Sequence, residues 1–452
     1  MLETEESTVR KDEYKETIFG LLPMDWEIIQ FNEVFELMKS YSFSRNDLTD
    51  NENEGDTYYI HYGDIHSKFE RLILNLNDRN SAKIPLLRDS SKPEKDLVYL
   101  QEGDLIIADA SEDYEGVAEC IEIGKITKGK KLISGLHTIV ARDKNGKTAK
   151  KFRSHLLKSW PVAKELKKIA TGISVLGVSK TNLGKVKIPL PPFNQQKIIA
   201  EILTTWDKTI SKTEKLIQAK KRYKKGLMQR LLSGSVRFPE FVKSEDLRKT
   251  RFGIYPKDWE YKKIQEVTTE VKNKVGDETE DYTVMSCTKH DGLVSSLEYF
   301  DRQVFSKDIS NYKAVEKGEF AYATNHVEEG SIGYNNWCKK GAISPMYTVF
   351  KADQIKIDND YLYAILKTEN YRRIFEIFTN GTVNRRGSLR WKDFKKIKVP
   401  VPSLEEQKVI STVLKKDEQE IQLLEKQLEK YQLQKKGLMQ QLLTGKVRVK
   451  SE

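Results

Sequence analysis

The chain has 452 residues, which is long enough for two or three domains. It carries 78 Lys and Arg against 67 Asp and Glu, and the resulting net charge of +11 favours a polyanionic partner such as nucleic acid. Its three cysteines are too few and too scattered for a disulfide framework or a paired-cysteine metal site. Because no run of about 18 apolar residues occurs and the chain starts without an apolar leader, we expect a cytoplasmic protein.

Each half of the chain opens with the same signature and continues with a strand-rich segment. Residues 20–27 read GLLPMDWE, and residues 253–260 read GIYPKDWE. Glycine-led runs at 103–108 and 318–323 predict a turn followed by a buried strand. Further strands are expected near 58–62, 137–141, 282–286 and 347–350, and short helices near 155–170 and 360–378. Each segment is therefore predicted to be a mixed α/β domain dominated by strands, and the chain belongs to the α+β class.

Each half closes with a second shared signature at a constant offset of 211 residues. Residues 189–197 read PLPPFNQQK and residues 400–408 read PVPSLEEQK, while GLMQRLLSG at 226–234 returns as GLMQQLLTG at 437–445. Apolar residues between these motifs recur at alternating spacings of four and three, which is typical of a coiled-coil seam. The main seam positions are Ile199, Leu203, Ile210, Ile217, Leu227, Leu231, Ile410, Leu414, Ile421, Leu424, Leu428, Leu438 and Leu442.

The two predicted helices would each have about 40 residues and a length of roughly 60 Å. Two apolar stripes of matching length in one chain favour intramolecular pairing. If a pseudo-twofold axis relates the two halves, the helices run antiparallel and the α/β domains have an inverted arrangement. The alternatives are core helices of two unrelated bundles, or coiled coils formed between molecules.

This order of motifs resembles the DNA specificity subunits of type I restriction–modification systems. The resemblance rests on the proline-rich segments followed by Gln-Lys, on both GLMQ motifs and on both PxDW signatures, and it covers nearly the whole chain. It implies an N-terminal target-recognition domain at 1–192, a spacer helix at 193–245, a C-terminal target-recognition domain at 246–402 and a second spacer helix at 403–452.

The resemblance also implies a function. Each domain would read one half of a bipartite, asymmetric site in double-stranded DNA, and the helices would set the unread spacer and dock two methyltransferase subunits. Restriction subunits would join the full complex. The chain itself would be non-catalytic and hold no cofactor or metal, with S-adenosylmethionine, ATP and Mg²⁺ bound by the partner subunits.

Candidate base-reading residues come from polar and basic types in glycine-containing loops. In the second domain the strongest set lies at 382–392 and comprises Asn384, Arg385, Arg386, Ser388, Arg390 and Lys392. The corresponding first-domain loop, 171–182, is less basic and offers Ser174, Ser179 and Lys180. Two further sets follow the turn-strand runs and comprise Asp109 and Ser111 in the first domain and Asn325 and His326 in the second.

Two other classes of function compete with this interpretation. Helix 197–230 has ten Lys and Arg against three acids. These cations could contact the phosphates of the spacer, form a solvated face of the coiled coil, or dock an acidic partner. A coiled-coil scaffold for RNA or acidic proteins is therefore an alternative. An enzyme is disfavoured, because 190–193 (LPPF) lacks the leading Asn or Asp of an adenine methyltransferase and 124–131 lacks the final Ser or Thr of a P-loop.

Overall fold

The computed structural model describes residues 13–69, 71–76, 84–92, 97–277, 279–380 and 388–449. The chain forms two units: a first unit of residues 1–215 and 426–452, and a second unit of residues 216–425. Each unit therefore contains part of both long helices. None of the helices in the described ranges is long and apolar enough to cross a membrane.

The first unit is built on short strands rich in β-branched and aromatic residues. They are β1 (Tyr14–Thr17), β2 (Gly20–Pro23), β3 (Glu27–Gln30), β4 (Phe35–Met38), β5 (Leu48–Thr49), β6 (Thr57–Ile60), β7 (Ile73–Leu74), β8 (Leu86–Leu87), β9 (Leu105–Ala108), β10 (Ala110–Ser111), β11 (Cys120–Ile123), β12 (Lys131–Ser134), β13 (Thr138–Asp143), β14 (Leu176–Gly177) and β15 (Lys187–Leu190). Five form a sheet in the order β4-β13-β9-β11-β7, and four form another in the order β12-β6-β8-β5.

The helices of the first unit cover the buried strand β9. They are α1 (Phe31–Val34), α2 (Tyr62–Ser67), α3 (Phe152–Lys158), α4 (Trp160–Lys168), α5 (Lys180–Lys185) and the start of α6 (Phe193–Leu232). Leu105, Ile107, Phe152 and Leu156 are at most 1% exposed and belong to one core cluster. The predicted turn before β9 is confirmed, because Gly103 adopts a φ of +97°, a conformation that glycine reaches at low cost.

The second unit repeats this plan, and its described residues form twelve strands. They are β16 (Leu247–Thr250), β17 (Gly253–Pro256), β18 (Glu260–Lys263), β19 (Thr268–Val271), β20 (Thr283–Thr288), β21 (Gly292–Ser295), β22 (Lys313–Glu316), β23 (Glu319–Ala323), β24 (Ile332–Tyr334), β25 (Lys340–Ile343), β26 (Tyr347–Ala352) and β27 (Lys398–Val401). Two four-stranded sheets have the orders β19-β26-β23-β24 and β21-β20-β25-β22. The helices are α7 (Ile264–Val267), α8 (Ser296–Phe300), α9 (Asn359–Leu366), α10 (Glu369–Asn380), α11 (Trp391–Phe394) and α12 (Leu404–Leu442).

The opening and closing signatures of each half meet as a two-stranded ribbon. β3 pairs with β15, with Ile28 opposite Pro189, and β18 pairs with β27, with Tyr261 opposite Pro400. These ribbons lead directly into α6 and α12, whose 40 and 39 residues confirm the predicted helix length. The proline-rich segments thus end one ribbon strand and begin the long helix that follows.

A buried glutamine ties the start of each long helix to its own unit. Gln196, 2% exposed, accepts the backbone N–H of Ala149 at 2.9 Å and donates to the Pro191 carbonyl at 2.8 Å. Gln407, 0% exposed, accepts the backbone N–H of Asp358 at 2.8 Å and donates to the Pro402 carbonyl at 3.0 Å. The glutamine shared by both signatures is therefore a structural residue, since each amide satisfies buried backbone groups.

The glycine that ends each long helix packs on an opening signature. Gly234 has a φ of +70°, and a Cβ there would lie 2.6 Å from Pro256. Gly445 has a φ of +68°, and a Cβ there would lie 2.4 Å from Pro23. The end of α6 thus closes onto the opening of the second half, and the end of α12 closes onto the opening of the first half. Only glycine combines the left-handed C-terminal cap with this close approach.

Within each unit the two long helices run antiparallel. In the first unit Trp206 packs against Tyr431 and Asp207 pairs with Lys435, while Leu203 and Leu442 lie in one core cluster. In the second unit Leu231 shares a core cluster with Ile410 and Leu414. Along α6 of the second unit, Lys220 pairs with Glu420, Lys224 pairs with Glu418, and Leu231 lies with residues 410 and 414. Because the partner numbers fall as the α6 numbers rise, the predicted antiparallel pairing is confirmed.

Candidate functional site

In the first unit, the site is formed where β9 and β13 end side by side. The last paired residues are Ala108 and Thr138. Asp109 follows Ala108 in the chain and His137 precedes Thr138, so both lie just beyond the last pair. The Asp109 N–H donates to the His137 carbonyl at 3.1 Å. His137 Nδ1 also lies 3.2 Å from Asp109 Oδ1, and the two side chains are 51% and 32% exposed. We call Asp109 and His137 the first strand-end pair.

The loop between α4 and α5 joins this strand end. The Val178 N–H donates to the Asp109 carbonyl at 2.8 Å, and β14 pairs with β10 through Ala110 opposite Gly177. Backbone hydrogen bonds therefore bring together two segments, 109–111 and 171–182, that the sequence singled out separately. Ile173 and Val175 are exposed on this loop, which gives it an apolar edge beside the polar pair.

The second unit has the same construction with different side chains. Ala323 pairs with Tyr347 at the end of β23 and β26, so Thr324 and Met346 occupy the positions of Asp109 and His137. The Thr324 hydroxyl donates to the Met346 carbonyl at 3.1 Å. The Leu389 N–H donates to the Thr324 carbonyl at 2.8 Å, matching the Val178 bond in the first unit. We call Thr324 and Met346 the second strand-end pair.

The other candidates of the first unit have varied surroundings. Ser174 is exposed in the loop. Ser179 caps α5 by accepting the Asn182 N–H at 3.1 Å, and Lys180 Nζ donates to the Met38 carbonyl at 2.9 Å. Ser111 is 3% exposed, and its hydroxyl donates to the Asp113 carbonyl at 2.7 Å. Ser111 therefore stabilises its own loop and is not available for contact with a base.

The candidates of the second unit lie beside the second strand-end pair where the structure describes them. Arg390 and Lys392 are exposed at the start of α11, and Ser388 is half-buried just before them. Asn325 Oδ1 lies 3.3 Å from the Thr324 hydroxyl, and exposed His326 lies 3.1 Å from Glu329 Oε1. The remaining three predicted residues, Asn384, Arg385 and Arg386, lie outside the described residues.

Sequence reasoning named His61 as a weaker candidate but missed His137, His66 and Tyr62, which lie around Asp109. The Tyr62 ring packs edge-on against His137 and His66, with centroids 5.4 and 6.0 Å apart, and His61 lies 4.5 Å from the same ring. Burial lowers the pKa of His61, although the nearby Asp64 carboxylate raises it. His137 has a φ of +56°, unusual for a non-glycine residue and often found at functional sites. No sequence pattern marked His137 as a site residue, because it is the first residue of the strand predicted at 137–141.

Several lysines of α6 form ion pairs with acids of α12. Lys220 pairs with Glu420 at 2.8 Å, Lys221 pairs with Glu425 at 2.6 Å, and Lys224 pairs with Glu418. These contacts lie within the second unit, so part of the basic charge of α6 is matched by the second long helix. The seam residues Ile199, Leu203, Ile217, Leu231, Ile410, Leu414, Ile421 and Leu442 are buried, and Ile210, Leu227, Leu424, Leu428 and Leu438 are half-buried.

Within the described ranges, His326, Glu328 and Glu329 form a group whose ligand atoms lie within 4.8 Å of one another. His326 and Glu329 are exposed and already contact each other. Such a group is common on protein surfaces without a bound ion, and we assign it no metal.

Comparisons with known proteins agree with this architecture. The family model for the type I restriction modification DNA specificity domain matches residues 23–221 and 256–432. The type I restriction enzyme MjaVIII specificity subunit of Methanocaldococcus jannaschii is 27% identical over 460 residues, covering 98% of this chain and 97% of that protein. The putative type I restriction enzyme MjaX specificity subunit of the same organism is 25% identical, with 98% of each covered.

Two solved structures share the fold. The S subunit of a type I restriction–modification system from M. genitalium superposes with a TM-score of 0.53 at 15% identity, covering 94% of this chain and 97% of that one. The second is a chain from a structure that describes complex assembly and conformational transition of the type I R-M system. It superposes with a TM-score of 0.52 at 15% identity, covering 94% of this chain and 99% of that one. Specificity subunits are recognition subunits without catalytic activity of their own. The chain belongs to the type I restriction–modification DNA specificity family.

Proposed function

We propose that this chain directs a type I restriction–modification complex to a bipartite DNA site, with each unit reading one half. The observation that supports this most is the duplicated strand end with unlike side chains. Asp109 and His137 in one unit occupy the positions that Thr324 and Met346 occupy in the other. Discrimination between bases depends on the chemical groups that a protein presents to each base edge. Strand ends with matching backbones but different side chains therefore suit two different half-sites.

In this proposal the two long helices set the number of unread base pairs. Their ion pairs support a fixed antiparallel register, since Asp207–Lys435 in the first unit and Glu418–Lys224 in the second are related by the offset of 211. Adding 211 to residue 207 gives residue 418, and adding 211 to residue 224 gives residue 435. The acid of one pair therefore corresponds to the acid of the other, and the lysine to the lysine. The same contact is therefore made once in each unit, with the roles of the two helices exchanged.

The proposed partners are double-stranded DNA, two methyltransferase subunits docked on the helical region, and restriction subunits in the full complex. S-adenosylmethionine, ATP and Mg²⁺ would be bound by those subunits, and this chain would act in the cytoplasm, where the DNA is. The competing scaffold for RNA or acidic proteins loses support because α6 lysines 220, 221 and 224 already pair with acids of α12.

Selection from a library of random DNA duplexes tests the proposal. The full chain, assembled with its methyltransferase subunits, should enrich two short sequence blocks at one fixed spacing. Enrichment of a single block, or binding to RNA alone, would contradict the proposal. Retention of RNA or of acidic proteins without any selected duplex would favour the scaffold.

A length change tests the role of the helices. Seven residues inserted after Lys215 and seven after Glu425 lengthen both helices by about 10.5 Å and preserve the phase of the seam. The selected spacer should grow by about three base pairs at 3.4 Å per pair, with both blocks unchanged. A changed block at an unchanged spacing would contradict this role.

A further inference from the structure

The first strand-end pair presents hydrogen-bond acceptors in a constrained geometry. With Nδ1 3.2 Å from Asp109 Oδ1, the tautomer of His137 that donates from Nδ1 to this carboxylate leaves Nε2 as an acceptor. The carboxylate adds acceptor capacity of its own. The imidazole of His137 also packs edge-on against the Tyr62 ring, with centroids 5.4 Å apart. An exposed acceptor pair suits a partner that supplies an amino group.

The second strand-end pair presents an apolar group instead. The Thr324 hydroxyl is occupied by the Met346 carbonyl at 3.1 Å, whereas Met346 is 66% exposed. The thioether side chain is flexible and polarisable, and it adapts its shape to an apolar partner. In the major groove of DNA the one apolar group on a base edge is the C5 methyl of thymine.

We propose that the two strand-end pairs are specificity-determining contacts: Asp109 with His137 accepts from the amino group of a cytosine or adenine, and Met346 packs on a thymine methyl. This inference rests on the proposed function and names the base chemistry that each unit reads. Amino groups of cytosine N4 and adenine N6 lie in the major groove, where carboxylates and other acceptors read them.

Uracil substitution tests the second pair. Each thymine of the site selected by the wild-type complex is replaced in turn by uracil, which lacks the methyl group. At one thymine we expect affinity to fall about fourfold, the effect of exposing one methyl-sized group. The Met346→Ala complex should bind thymine and uracil duplexes equally at that position. Met24→Ala removes a methionine of similar exposure, 56%, from the first unit and should leave the fourfold effect intact.

Removal of a base amino group tests the first pair. Purine replaces each adenine and 2-pyrimidinone replaces each cytosine of the selected site in turn. At one position we expect a loss of roughly tenfold, within the range for a lost base contact. Asp109→Ala should abolish that sensitivity, and His137→Asn, which tolerates a positive φ, should reduce it. Asp50→Ala, an exposed aspartate of the same unit, should leave it unchanged.

The two units serve as folding controls for each other. A Met346→Ala complex that still senses the amino group, or an Asp109→Ala complex that still senses the methyl, is folded and reads its other half-site. The inference is overturned if the wild-type complex tolerates every uracil and every amino deletion, or if these sensitivities persist in the variants. In that case the proposed function stands, provided that two blocks at a fixed spacing are selected. If no such blocks are selected, both fail.

Discussion

The two units differ most where they are expected to contact DNA and least where the long helices are anchored. Gln196 and Gln407 make matching hydrogen bonds, and Gly234 and Gly445 make matching close contacts with a proline. Even the arginines beyond the helices correspond, since Arg237 pairs with Asp258 at 2.9 Å and Arg448 pairs with Asp25 at 2.6 Å.

At the strand ends the backbone correspondence continues but the chemistry changes. The bonds from Val178 to Asp109 and from Leu389 to Thr324 have the same length of 2.8 Å. The side chains that they position are an acid with a histidine in one unit and a threonine with a methionine in the other. The comparison indicates that these backbone contacts are kept in both units while the side chains at the strand ends differ. Four experiments on stability test how far the two units are equivalent.

The largest effect is expected from the buried glutamines. Gln196→Ala and Gln407→Ala each leave buried backbone groups without partners, so each should lower the free energy of unfolding of its unit by about 3 kcal/mol. Gln419→Ala, at an exposed site on α12, should change it by less than about 0.5 kcal/mol. Denaturant unfolding followed by hydrogen exchange in each unit measures these values. A large loss in one unit and none in the other would break the equivalence.

A pH effect from a buried histidine is expected in the first unit. His155 is 0% exposed, and its Nε2 lies 3.5 Å from Asp207 Oδ2 without a hydrogen bond, while Asp207 pairs with Lys435. Burial, assisted by Lys435, lowers the pKa of His155 to about 3. The folded pKa is therefore below the unfolded value of about 6.5, so His155 contributes no penalty above pH 6.5 and an increasing one as pH falls toward 3.

The His155→Leu variant isolates this contribution. Relative to wild type, its first unit should gain about 1.4 kcal/mol per pH unit below pH 6.5, or about 2 kcal/mol at pH 5. Glu122, whose pKa burial raises to about 7, titrates in both proteins and cancels in the difference. Unfolding of the two proteins is compared at pH 8, 6 and 5. A difference that stays constant across this range would refute the assignment.

The capping glycines should give the next effect. Gly234→Ala and Gly445→Ala each place an alanine in the left-handed conformation and bring its Cβ too close to a proline ring. Each change should therefore lower the free energy of unfolding by about 1–2 kcal/mol or more. Gly226→Ala and Gly437→Ala are matched controls within the helices, where an added Cβ meets nothing within 4 Å. These two should stabilise by about 0.5–1 kcal/mol. Thermal unfolding of the four variants should therefore show opposite signs for caps and interiors.

The smallest effect is expected from the reciprocal ion pairs. Lys435 and Asp207 are 15% and 24% exposed, whereas Lys224 and Glu418 are 27% and 45% exposed. Double-mutant cycles with Lys→Met and acid→Ala changes should give a coupling of about 1 kcal/mol for the first pair and about 0.5 kcal/mol or less for the second. Both couplings should shrink in 1 M salt. A stronger coupling for the more exposed pair would contradict this ranking.

The amino-acid sequence alone determined the features that depend on local pattern. The offset of 211 residues, the spacing of Ile199, Leu203 and their successors, and the flanking proline and glycine predict the long helices because helix formation follows local periodicity and capping. The strands β9 and β23 follow from apolar runs after a glycine turn. The family resemblance rests on the same repeated motifs, and the family comparison confirms it.

Only the tertiary structure decided which side chains share a surface. Asp109 and His137 are 28 residues apart and meet because of the antiparallel register of β9 and β13, which no local pattern states. The register of β23 and β26 shows that Met346 corresponds to His137. The burial of Ser111 argues against a base contact that its polar side chain had suggested. Lysines of α6 that seemed available to phosphate lie beside acids some 200 residues away. Local periodicity encodes elements, whereas long-range pairing determines the neighbours of each side chain.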